Sequence, residues 1–255
     1  MERPRVNPDL RNIPAGTKPG TNSSSEGGRP EFGEGPERAG DRFVWVPLAP
    51  ARGAYERWGK RLLDLVAAGL GLLLLSPLIF LISLAIKLDS PGPVLYRSIR
   101  VRDGGLLFAF AKFRSMVRNA EELRSSVAHL NEVDGPVFKI TRDPRTTRVG
   151  ALLRRTSLDE LPQLWHVLRG EMSLVGPRPL PVEEVHRFDD DAHRRRLSVL
   201  PGLTCHWQVR GRNEIDDFAE WVRLDLEYID NWSLWLDLQI LWRTLPAVVV
   251  GTGAK

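Results

Sequence analysis

Hydrophobic and polar positions sort the chain into stretches of different period. Residues 1–42 show almost no apolar period and are rich in Gly, Pro, Ser and charge, as in Pro19-Gly20-Thr21-Asn22-Ser23-Ser24-Ser25. Such a stretch cannot bury enough surface to offset its ordering entropy, so it is expected to be a disordered tail. It also lacks the apolar core of a secretory leader. Phe43-Val44-Trp45-Val46-Pro47 reads as a short docking strand, and 43–255 as one folded domain. Val94-Leu95-Tyr96 and Leu106-Leu107-Phe108-Ala109-Phe110 flank Asp103-Gly104-Gly105, which predicts a β-hairpin. Helices are expected over 119–129, 181–200 and 214–228, the second a charge run with Arg194-Arg195-Arg196 that suits a solvated face or anionic lipid. Cys205-His206-Trp207-Gln208-Val209 reads as a strand entering a small basic loop, Arg210-Gly211-Arg212-Asn213, able to hold a phosphate or nucleotide. Trp232, Trp235 and Trp242, with Leu234, Leu238, Leu241 and Leu245, form an apolar stripe at helical spacing. That stripe fits a helix lying on a membrane face, or a plain core helix.

The longest apolar signal is Leu65 to Ile86, where no residue carries a charge. About 22 such residues cross the hydrocarbon core as a helix. Ser76-Pro77 stands in the middle, where proline removes a backbone hydrogen bond and kinks the helix. The neighbouring serine can re-satisfy the freed carbonyl. Arg57, Lys60 and Arg61 precede the run; Lys87, Arg97, Arg100 and Arg102 follow it. Cations at both ends give the positive-inside rule no asymmetry, which fits both ends facing the cytoplasm. A kinked re-entrant helix over 58–88 meets both facts, and an ordinary spanning helix with a tolerated proline is the alternative.

Composition narrows the picture a little. The 255 residues suffice for one or two domains with a real core. With 36 Lys and Arg against 32 Asp and Glu, the formal charge of +4 is too even to argue for nucleic acid. The single cysteine, Cys205, excludes an internal disulfide or a cysteine-based zinc cluster. Eight tryptophans against three tyrosines favour a membrane–water boundary.

The candidate chemistry lies in Leu152 to Trp165, where Asp159 and Glu160 sit between Arg154-Arg155 and a helix start marked by Pro162. Thr156 or Ser157 can cap that helix, leaving the acids in or just before its first turn. Helix dipole and arginines both favour ionised carboxylates there. An ionised acid beside cations can attack phosphorus or hold a hard metal ion. The competing reading is a capping box, Ser157-x-x-Glu160, with no chemistry at all. Downstream, Pro177 and Pro179 fix φ on either side of Arg178 and hold its guanidinium in an extended frame, a good phosphate clamp or merely a rigid corner.

These residues together resemble the bacterial sugar transferases, and more narrowly the monotopic polyprenyl-phosphate phosphoglycosyl transferases. The resemblance runs from about Trp58 to the C-terminus. It rests on Lys60-Arg61-x-x-Asp64, Ser76-Pro77, Gly92-Pro93-Val94, Lys112-Phe113-Arg114-Ser115-Met116, Arg154 through Gln163, Met172 through Pro179, and Pro201 through Asn213. It implies an α+β fold, mostly helical, with a re-entrant N-terminal membrane helix and a compact cytosolic core of short helices and a small hairpin (89–255). It implies Asp159 as nucleophile and Glu160 as its partner in the dyad. Arg154, Arg178, Arg212, Lys112 and Arg114 become phosphate- or substrate-binding residues, with Mg²⁺ held at Asp159. The implied reaction moves a sugar-1-phosphate from a UDP-sugar to polyprenyl phosphate at the cytoplasmic face of the bacterial inner membrane, releasing UMP. The short tail points to the small, catalytic-core form; whether it works as a homodimer is left open, as is the sugar. Arg102, His166 and Cys205-His206 depart from the family's usual residues. The alternative is a membrane-anchored scaffold without chemistry.

Overall fold

A computed structural model describes residues 46–49, 53–211, 215 and 217–250. The predicted tail, most of the docking strand and Arg212 lie outside these residues. A π-helical turn, Tyr55–Gly59, opens into α1, Lys60–Asp89. The hairpin follows: β1, Leu95–Val101, and β2, Leu107–Phe113, pair antiparallel from Leu95↔Phe113 to Val101↔Leu107. Then come α2, Arg148–Thr156, and α3, Gln163–Arg169. A second small sheet pairs β3, Ser173–Val175, in parallel with β4, Gly202–Thr204. Between and after these lie α4, Val182–Val185; α5, Asp191–Arg195; α6, His206–Gly211; α7, Phe218–Asp230; and α8, Leu234–Val250. The expected mostly helical α+β pattern with a small hairpin is what the chain forms.

Three sequence expectations need correction. The stretch 181–200 is not one helix: α4 and α5 are separate, because the Asp190 carboxylate caps the Ala192 N–H and starts a new helix. Cys205 to Val209 is no strand: only Gly202–Thr204 finds a partner in β3, after which the chain coils into α6. The stretch 119–129 forms turns and a 3₁₀ helix, Ser125–Leu130, rather than an α-helix.

Among the described residues, one helix is long and apolar enough to cross a membrane, Tyr55–Asp89. It is inside-out by soluble-protein standards. Lys60 and Asp64 are buried, while Leu62, Leu70, Leu73, Leu74, Phe80 and Leu88 are exposed. Both ends are fixed to one body. At the first end the Lys60 ammonium donates to Val175 O (3.1 Å) and pairs with Asp237 of α8 (2.8 Å). The Arg61 guanidinium donates to Val167 O and Leu168 O at the end of α3, and Asp64 accepts from Ser173 Oγ and Leu174 N. At the far end Ile82 and Ile86 pack on Phe113 and Leu153, and Asp89 accepts from Val149 N. Between Ala68 and Ile82 no residue is buried. Helical structure continues through Pro77 without a gap, and Ser76 Oγ donates to Leu73 O at 2.8 Å, the carbonyl that Pro77 cannot serve.

α8 repeats the inversion. Asp237 and Ile240 are buried, and Thr244 meets Thr204 across the interface, whereas Trp235 (70% exposed), Leu238 and Trp242 (75% exposed) point outward.

Candidate active site

The acids are placed by a reversal of the chain. α2 ends at Thr156, and Ser157 turns left-handed with φ +56°, the one non-glycine to do so among the described residues. Leu158–Glu160 then form a single 3₁₀ turn ahead of α3, whose end is closed by Gly170 at φ +74°. Leu158 and Leu161 root this turn in the apolar cluster of Ile82, Ile86, Phe113 and Leu153. Asp159 and Glu160 are buried. No capping box forms: Ser157 makes no side-chain cap bond, and Glu160 pairs with Arg178 at 2.8 Å.

Cations reach the turn from two directions. Register places Tyr96, Ser98 and Arg100 of β1 on the same hairpin face as Lys112, Phe110 and Phe108 of β2. Burial pushes the Lys112 ammonium down to about 8, with Asp159 and Glu160 resisting and Arg100 and Arg178 adding to the fall. From the other side comes Arg178. Burial opposes its charge, yet the charge and hydrogen bond of Glu160 hold the guanidinium above its usual value. Arg100 is pushed down to about 10, by burial first and by Arg178 second.

The frame around Arg178 is a close backbone contact. Gly176 N donates to Thr204 O (3.0 Å) and Gly202 N to Pro177 O (2.9 Å). A Cβ on Gly202 would stand 2.1 Å from Gly176 N, so Pro201-Gly202-Leu203-Thr204 serves to hold the Gly176-Pro177-Arg178 corner. Tyr228 OH and the Lys60 ammonium both bond Val175 O, one residue before that corner.

The model of the family described as bacterial sugar transferase matches residues 55–251. The chain belongs to that family. It is 44% identical over 196 residues to "Galactosyl transferase CpsE" of Streptococcus agalactiae, covering 77% of this chain and 43% of that protein. It is 42% identical over 199 residues to "Exopolysaccharide production protein ExoY" of Rhizobium meliloti, covering 76% of this chain and 87% of that protein. It is 44% identical over 203 residues to the "UDP-glucose:undecaprenyl-phosphate glucose-1-phosphate transferase" of Caulobacter vibrioides, covering 76% and 71%. The chain thus spans less than half the length of CpsE.

In this member of the family the sequence-predicted residues divide. Asp159, Glu160, Lys112 and Arg178 come together. Arg154 donates instead to Thr146 Oγ1 and Ile140 O, because the left-handed Ser157 puts it on a different element from the acids. Arg114, expected to bind phosphate, is committed to the end of α1: it donates to Pro91 O, Ile86 O, Ser90 O and Ser90 Oγ. Gly92 (φ +128°) lies so near that a Cβ would meet Arg114 Nη1 at 2.1 Å. His166 accepts from Ala111 N at Nε2 and faces Glu171 through Nδ1, which fastens α3 to β2. Arg100 was missed, since nothing local marks it as more than a flanking cation.

Among the described residues no three His, Cys, Asp or Glu side chains gather as a metal site. A divalent ion of the kind the resemblance implies would rest on Asp159, since Glu160 is paired with Arg178. That oxygen donor set fits Mg²⁺, which is ordinarily held by one or two carboxylates together with substrate phosphates.

Proposed function

We propose that the protein transfers a sugar-1-phosphate from a UDP-sugar to polyprenyl phosphate, forming polyprenyl diphosphosugar and UMP. The observation that carries this is a buried Asp159-Glu160 pair, salt-bridged to Arg178 and faced by Lys112, in a chain of the sugar transferase family. An Asp159 oxygen attacks the phosphorus bearing the sugar, and the bond from that phosphorus to the UMP oxygen breaks. The resulting aspartyl phosphosugar is attacked by an oxygen of the lipid phosphate, which frees the carboxylate. Splitting the displacement predicts ping-pong kinetics. Lys112 and Arg178 neutralise charge on the equatorial oxygens, where most phosphoryl-transfer catalysis lies. Mg²⁺, held by Asp159 and the diphosphate, would add Lewis-acid stabilisation of the same oxygens.

Several features support a membrane setting on the cytoplasmic face of the inner membrane. Both ends of α1 bind one body, and its middle is exposed around Ser76-Pro77, as a helix that dips into one leaflet and returns would be. The outward tryptophans of α8 suit the interface beside it. Relatives carry names such as exopolysaccharide production protein and undecaprenyl-phosphate galactose phosphotransferase, so the first membrane step of exopolysaccharide, capsule, O-antigen or glycoprotein glycan assembly is the expected place. The scaffold alternative required a capping box at Ser157, which the left-handed turn does not supply.

The test is Asp159→Asn in membranes, with UMP release measured over a panel of UDP-sugars. Loss of release with folding intact, and radiolabelled phosphosugar attached covalently to the wild type alone, is expected. Near-wild-type release by the variant overturns the proposal.

A further inference from the structure

Arg100 stands in the sequence among the cations behind the membrane run, but its surroundings belong to the site. Its strand, β1, has β2 on one side and the segment after Arg178 on the other. Arg100 bridges Pro181 in antiparallel fashion, and Val101 N donates to Leu180 O at 3.1 Å. β1 is thus the middle of an irregular three-stranded strip, with Lys112 on one flank and Arg178 leading into the other.

The side chain is fixed at two points. Nη1 donates to Pro179 O, and the guanidinium carbon lies 4.0 Å from the centre of the Phe110 ring. Pro179 follows Arg178 directly, and its ring already fixes φ there. A pin on its carbonyl therefore sets the chain one residue from the guanidinium that grips Glu160. Arg100 and Arg178 also repel each other, and Arg178 has a carboxylate to move toward, Glu160 at 2.8 Å.

We propose that Arg100 is a positioning residue, which holds Arg178 against Glu160 and so orients the dyad without itself touching substrate. This rests on the phosphosugar transfer proposed above. A lysine would keep the charge but lose both the planar stack and the fork geometry, so charge and geometry are separable.

The experiment is a double-mutant cycle on the full chain in membranes, reading kcat and KM for UMP release from wild type, Arg100→Met, Arg100→Lys, Arg178→Met and the Arg100→Met/Arg178→Met pair. Both Arg100 variants should lose kcat on the order of a hundredfold, as for a displaced catalytic group, with KM for the UDP-sugar little changed. In the Arg178→Met background, Arg100→Met should change kcat by no more than about twofold. Losses that multiply, a loss confined to KM, or a fully active Arg100→Lys each overturn the proposal. If Arg100→Met does not fold, Arg100→Lys in the same two backgrounds gives the answer. If the wild type releases no UMP from any donor, the functional reading falls separately. The pin is then judged by the Arg178 Nη2–H resonance in detergent: exchange-protected in wild type and lost in the Arg100 variants, with its retention overturning the proposal.

Discussion

At the scale of residues, Lys112 is the side chain whose charge the site controls most directly. Burial brings its ammonium from an ordinary 10.5 to about 8, against the pull of Asp159. It is therefore charged below that pH and neutral above it. We predict that KM for the UDP-sugar rises as pH passes through about 8, because one positive charge facing the diphosphate is lost. In Lys112→Arg the rise should disappear, since arginine stays charged; a flat wild-type KM profile across that range contradicts the assignment. The linkage has the matching sign: the unfolded chain binds this proton more tightly, so the group's contribution to stability increases with pH between about 8 and about 10.5. A second residue prediction concerns Gly202. Adding a Cβ there forces apart the Gly176 contact, so Gly202→Ala should lower stability by about 2 kcal/mol in thermal unfolding and reduce kcat through the Arg178 corner. The sequence made Asp159, Glu160 and Arg178 visible because a contiguous acid pair and a proline-framed arginine are local patterns. Arg154 is also next to the acids along the chain, but its two terminal nitrogens donate to Thr146 Oγ1 and Ile140 O, partners the local pattern does not announce. Arg100 was hidden because every partner it has arrives from another part of the chain.

At the scale of elements, the hairpin and the helices with clear apolar periods were legible, since a turn of Asp103-Gly104-Gly105 and a 3.6-residue stripe state their own geometry. The broken 181–200 region was not, because a capping side chain at Asp190 interrupts it with no change in overall polarity. α1 is the most informative case. A serine beside Pro77 is expected to rescue the carbonyl that the proline leaves unserved, and Ser76 Oγ donates to it. On the re-entrant reading proposed above, we predict that Pro77→Leu, which restores the missing backbone hydrogen bond, favours a crossing helix over a dipping one. In a Cys205→Ser background, cysteines at Trp58 and Leu88, both highly exposed, should be labelled by an impermeant maleimide from the same side in the parent. They should be labelled from opposite sides in the Pro77→Leu variant; unchanged labelling would sink this prediction.

At the scale of the whole molecule, the long apolar helix α1 and the site share one buried polar joint. Asp237 accepts from Tyr55, Lys60 and Tyr228, and Val175 O, just before the Arg178 corner, accepts from two of the same side chains. Removing one partner of a buried ion pair leaves the other charge stranded. Lys60→Met should therefore destabilise the protein by about 3 kcal/mol, seen as a lower melting temperature in detergent. Lys60→Met/Asp237→Asn should recover part of that loss; a double variant as unstable as the single one argues against the pairing. The inverted polarity of α1 and α8 also governs which substitutions the protein tolerates. Outward positions such as Leu73, Leu74, Phe80 and Trp242 are exposed, so in the membrane setting proposed above one greasy side chain there can replace another. Asp64 and Asp237 face partners that no greasy side chain can imitate. In a mutational scan of these two helices, variation should gather on the leucines and be nearly absent from the few charges among them.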